Sequence, residues 1–179
     1  MSKLKWITGT ALGLSLLVSA NASATTLNKL SSQEMIESAS SCVIADVVAS
    51  TQEKRNGQVV TLTTFNVSKT AFGSTDQTIT VETLGGRSNV GRLKTASVFA
   101  GSPRFFMGQE ALMLINQNAD SGNYSLVGFN QGNFRVTEAV QGRRTVRLPE
   151  DLGGTVSVEQ ALVTLATERV APARAPIGN

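Results

Sequence analysis

Apolar positions along this chain follow two periods, and the change between them marks out the elements. Ile7 to Val18 is an apolar run broken only by small residues. Leu30-Ser31-Ser32-Gln33-Glu34-Met35 opens a helix that should end near Ser40. Ser31 is its N-cap, Glu34 completes a capping box, and Leu30 and Met35 occupy staple positions. From Cys42 the period drops to two. CVIADVVAS (42–50) and VVTLTTFNVSK (59–69) flank Asn56-Gly57, the strongest hairpin signal in the chain. The apolar phase of the second segment runs even at Val60 and Leu62, then odd at Phe65 and Val67. A strand with one buried face cannot do that. The pattern therefore predicts a bulge or bend near Thr63-Thr64, or cover on both faces.

TITVETL (78–84) alternates, with Ile79 and Val81 on one side. GGRSNVGR (85–92) reads as a loop and KTASVFAG (94–101) as a short strand. EALMLIN (110–116) is apolar on both faces and should be central. Strands are expected over NYSLVGF (123–129), NFRVTEAV (133–140) and RRTVRLP (143–149), the last two joined at Gln141-Gly142. Helical spacing returns at Val158, Leu162 and Leu165, behind a Ser157 cap. The fold class expected is mainly β: a small antiparallel OB-like Greek-key barrel or sandwich, with short helices at the N- and C-terminal ends. Residues 25–170 form one β-rich domain, and the Pro-rich stretch 171–179 is expected to be a disordered tail.

Lys3 and Lys5, the apolar run and Ala22-Ser23-Ala24 together match a secretory signal peptide over residues 1–24. Cleavage near Ala24 predicts a secreted or periplasmic protein with no transmembrane segment, expected to be monomeric. Lys3 and Lys5 leave with the leader, which takes the sixteen basic residues to fourteen against thirteen acidic. That balance, with the export signal, argues against nucleic acid as a partner. Cys42 is the only cysteine and cannot make an intramolecular disulfide. It reads as a small buried hydrophobe at a strand start, the alternative being a reactive or dimer-forming thiol.

The chain has no histidine. That removes Ser-His-Asp and Cys-His catalysis and HExxH zinc sites. The carboxylates are mostly single, and no Ser-x-x-Lys dyad opens a helix. No catalytic, metal or cofactor-binding residue is assigned. Gly86-Arg87-Ser88-Asn89-Val90-Gly91-Arg92 has the glycine spacing of a phosphate loop but lacks its Lys and Ser/Thr. Its Arg87, Asn89 and Arg92 are instead candidates for contact with a partner. Arg135, Arg143 and Arg147 form the one local excess of positive charge and are candidate anion-binding residues. They would suit an anionic glycan or lipid; a solvated edge strand would carry the same charges.

PRFFMGQEALMLIN (103–116) sets two adjacent aromatics before a central strand. Pro103 and Gly108 mark a turn, and one ring should pack on the barrel end. Only one of two neighbours on an extended chain can point inward. Arg104, Phe105 and Phe106 are the leading partner-binding candidates.

The order Ala45-Asp46-Val47-Val48, TTFNVSKTAFG, ITVETLGG, PRFFMGQEALMLI and YSLVGFNQGNFRV resembles small exported bacterial domains of unassigned function. Their layout is similar to the netrin-like OB barrel of tissue inhibitors of metalloproteinases. The resemblance spans roughly 30–140 and implies a barrel and a protein-binding habit. It does not carry the inhibitors' zinc chelation, which uses an N-terminal cysteine; this chain would begin at Thr25 and has one internal cysteine. The function expected is an exported, non-catalytic barrel that binds a protein, an envelope component or a protease. The alternatives are the anion binder and a carboxylate or serine hydrolase without a recognisable motif.

Overall fold

The computed structural model describes residues 28–90, 93–138 and 142–171. The expected leader, Arg92 and most of the expected tail lie outside them.

Helix α1 (Ser32–Ser38) carries the full capping box: Ser31 accepts from the Glu34 amide, and Glu34 accepts from the Ser31 amide. Strands β1 (Ser41–Arg55) and β2 (Gln58–Phe72) follow, joined by Asn56 and Gly57 at φ 48° and 84°. Two positive φ values define the type I′ turn that suits a twisted hairpin. Then come β3 (Thr78–Leu84), β4 (Gly86–Val90), β5 (Leu93–Ser97), β6 (Glu110–Gln117) and β7 (Tyr124–Leu126). β8 (Asn133–Glu138), β9 (Arg144–Arg147) and β10 (Thr155–Ser157) lead into α2 (Val158–Val170), whose cap Ser157 accepts from the Gln160 amide.

Five strands close a ring in the order β1-β2-β3-β7-β6 and back to β1. The architecture is thus a small, mainly β, barrel-like fold with helices at its two ends in sequence. One expectation needs correcting: the sheet is not wholly antiparallel. An odd ring cannot alternate direction all the way round, so one parallel pairing is obligatory. It falls between β3 and β7, at Val81 and Tyr124. β8 pairs with Ala111–Met113 on the edge of β6 that β7 takes further along, and β9 and β10 extend the sheet from there.

The core has two parts, on opposite faces of β1 and β6. Val43, Ala45, Val47, Ala111, Met113 and Ile115 point into the barrel with Phe65, Ile79 and Val81. Cys42, Ile44, Leu112 and Leu114 point outward, under α1, α2, β8 and β9. This is why EALMLIN is apolar on both faces, from Ala111 to Ile115. Arg169 ties the helices together, donating to the Ile36 and Glu37 carbonyls at 2.8 and 2.7 Å. These are the unpaired carbonyls that a helix end leaves.

A bulge does fall beside Thr63-Thr64, with its extra residue in β1: Val47 faces Phe65 and Ala49 faces Thr64, leaving Val48 unpaired, and two further shifts skip Ser68 and Ala71 of β2. β2 runs in unbroken register against β3. Two other expectations change. The 85–92 loop is largely strand, because Gly86–Val90 pairs with Leu93–Ser97 as a separate ribbon. Only Tyr124–Leu126 of 123–129 is strand; Gly128 and Phe129 both take positive φ and turn the chain toward β8. The short β10 and the 3-10 turn at Glu150–Leu152 carry too little periodicity to be read in advance. The Gln141 side of the β8–β9 connection lies outside the described residues, although the two strands do pair.

Candidate functional site

Pro103 is buried and anchors the segment that leads to β6. Phe105 turns inward and meets Phe65 edge to face, with centroids 4.9 Å apart and planes at 89°. That geometry suits two ring quadrupoles. Phe106 turns the other way and is 64% exposed, and Met107 beside it is 68% exposed. A tight turn fixes both. The Gln109 amide donates to the Phe106 carbonyl at 2.9 Å, and the Phe106 amide donates to Gln109 Oε1 at 3.2 Å. Gly108 sits at φ 72°, where a side chain would be strained even though space is open. The turn is pinned to β1 by two backbone bonds of 3.0 Å, Gly108 to the Val47 carbonyl and Val47 to the Gln109 carbonyl.

Phe105 and Phe106 form one wall of an open cleft of about 410 Å³. Its floor is the inner face of the β1–β2 hairpin beyond the barrel, with Ser50, Gln52, Thr61 and Thr63. Its far wall is the start of β4 with Arg87, and Val98 on the rim is 72% exposed. Gln52 holds that wall by accepting from the Arg87 amide at 2.8 Å. Arg104 also lines the cleft. A smaller cavity of about 220 Å³ adjoins it, sharing Thr83, Leu84, Ser102 and Pro103. Phe129 lines this cavity at φ 69°, an outlying conformation for an aromatic residue.

Four of the six partner-binding candidates therefore meet at one cleft: Arg87, Arg104, Phe105 and Phe106. Asn89 lies on β4, and Arg92 lies outside the described residues. The cleft carries two arginines and no carboxylate among its described lining. Ser50, Gln52, Thr61 and Val98 were not singled out from sequence. The signal was present in the 59–65 phase. Thr61 and Thr63 occupy inward positions, where a polar residue marks a wet cleft rather than a dry core.

The anion-binding candidates lie elsewhere. Val136 faces Val146 across β8 and β9, so the next rung sets Arg135 beside Arg147, both exposed. Arg147 Nη2 is 3.7 Å from Glu150. Arg143 is exposed just before β9. Arg144, on the other face, donates to Glu110 at 2.6 Å and reaches Glu159 at 3.7 Å. Glu110 stands opposite Asp46 across β1 and β6. Burial raises its carboxyl above the ordinary range, and Arg144 offsets part of that rise. No group of three or more metal-ligating side chains converges among the described residues. Cys42 is fully buried, and loss of hydration pushes its thiol up to about 12.

No family model matches the chain. Comparison with curated proteins and with solved structures finds no match either. No helix among the described residues is long and apolar enough to cross a membrane.

Proposed function

We propose that this protein is an exported, non-catalytic barrel module that binds a protein partner through the cleft beside Phe106. The observation that carries this reading is Phe106 itself. It is a large aromatic ring, 64% exposed, held in place by a hydrogen-bonded turn and flanked by Met107. An exposed ring costs solvation and gives the fold nothing, whereas aromatic and arginine side chains around a desolvated pocket dominate binding energy. Phe105 braces the turn from within, and Arg87 and Arg104 supply charge at the edges of the same cleft. The chemistry of the cleft suits recognition: it offers hydroxyls, an amide, two guanidiniums and apolar rims, without a nucleophile–base pair among the described lining. Export follows from the leader at residues 1–24.

A photo-crosslinking amino acid at position 106, and separately at Val163 on α2, tests this directly. Both positions are exposed. Irradiation with the exported fraction of the source cells should give a discrete protein adduct from position 106 and none of that mass from 163. Equal adducts from both positions, or none from 106, would overturn the assignment.

A further inference from the structure

Strand β1 outruns its neighbours on one side. β6 pairs with it only over Ser41–Asp46, and Val47 closes that stretch with Gly108 and Gln109. From Ser50 to Lys54 the backbone of β1 pairs with β2 alone, and no described strand or loop bonds the backbone of its other edge. The hairpin determines which backbone groups are left. In a two-residue hairpin the flanking residues exchange both bonds, and alternate rungs back along the strand face away. Arg55 and Gln58 are that flanking pair. Lys54, Gln52 and Ser50 therefore turn their amides and carbonyls outward. The bulge agrees with this count: Val47 also faces outward, and the extra Val48 moves the outward set from odd to even positions. An open row of backbone groups is a template for another strand, usually guarded by charge or proline. Here Val48 to Gln52 carry neither, and charge begins only at Glu53.

We propose that this edge receives an extended, acidic segment of the protein partner by strand addition, an inference that rests on the cleft reading above. Strand addition takes affinity from backbone bonds and specificity from pockets for alternate side chains. Ser50 and Gln52 present their backbone to the edge and their side chains to the cleft. Alternate side chains of an added strand thus look into the same cleft. Arg87 and Arg104, with no carboxylate in the described lining, select acidic residues there. Val48, Phe106 and Met107, all exposed at the start of the edge, select an apolar residue at that end. A second copy of the chain fits less well, since it would bring the same two arginines to the joint.

The test uses phage-displayed random short peptides selected on the protein, followed by N-methylation of each amide in a selected peptide. Enriched peptides should carry acidic residues at every second position and an apolar residue at one end. Methylating every second amide should weaken binding about tenfold, the worth of a backbone hydrogen bond or two, and methylating the others should not. Ser50→Pro should weaken binding similarly while melting like the wild type, because proline is tolerated where an edge amide is unused. Phe106→Ala should weaken binding without removing the alternation. Failure to enrich any peptide, or uniform tolerance of N-methylation, overturns strand addition. If Phe106→Ala still weakens binding in the second case, the cleft reading survives alone. If Ser50→Pro and the methyl scan act while Phe106→Ala does not, the edge stands and the cleft reading fails. Should Ser50→Pro unfold, the methyl scan decides. A dimer of the protein that Ser50→Pro abolishes would put a second copy on the edge and overturn the acidic-partner assignment.

Discussion

Phe105 and Phe106 differ in environment because an extended chain alternates its sides. The sequence made that division readable but not its direction, since nothing local says which of two adjacent rings finds Phe65. Burial also settles Cys42. A thiol pushed up to about 12 is almost wholly protonated near neutrality, and the thiolate is the reactive form. Native protein should resist iodoacetamide at neutral pH and react once unfolded; rapid native labelling would show an accessible thiol. Glu110 makes a second prediction at this scale. Its folded carboxyl lies above the ordinary 4.5, chiefly through burial. The folded state therefore holds the proton to higher pH than the unfolded chain does. The associated stability is present below about 4.5 and is lost as pH rises through the folded value. Urea unfolding across this window should show the wild type gaining on Glu110→Gln as pH falls. A difference independent of pH would contradict this. The Asp46–Glu110 pairing was not legible in advance, since it depends on register between strands far apart in sequence.

Among the elements, those governed by local rules were the legible ones. The α1 capping box, the Ser157 cap and the Asn56-Gly57 hairpin each follow from a few adjacent residues. β6 was also legible as a central strand, because strands covered on both faces lose alternation. The apolar phase of β2 was only partly legible, for a physical reason. Its inward positions, Thr61 and Thr63, face the cleft, so polarity there mimicked a phase slip. The β1 bulge at Val48, opposite Thr64 and Phe65, leaves no trace of its own, because Val47-Val48-Ala49 is apolar whichever residue bulges. The 85–92 segment hid its strand in the same way, since β4 pairs only with β5. The hairpin turn offers a clean check. Gly57 sits at φ 84° with nothing within 4 Å of an added Cβ. Gly57→Ala should then cost about 1–2 kcal/mol from the backbone alone, by thermal or urea unfolding. A neutral substitution would argue against the type I′ turn.

At the scale of the whole molecule, the barrel wall and the proposed binding cleft are the same sheet put to two uses. Inside the ring, β1 and β2 close over apolar side chains; beyond it, the same hairpin runs on as the floor of an open cleft. The turn at Phe106–Gln109 stands where one use gives way to the other, bonded to β1 at Val47. The fold class was legible from strand count and from helices placed at the ends. The closure of the ring was not, because the parallel contact at Val81 and Tyr124 joins strands distant in sequence. The most direct test of the account is a pair of single variants, Phe105→Ala and Phe106→Ala, each measured for unfolding free energy and for capture of the crosslinked partner. Phe105→Ala should cost roughly 3 kcal/mol, the low end for a buried ring, because its outer side faces the cleft. Phe106→Ala should change stability by less than about 0.5 kcal/mol and weaken capture about tenfold or more. Equal losses of stability in both variants, with capture by folded Phe106→Ala unchanged, would contradict the account and leave this stretch as core alone.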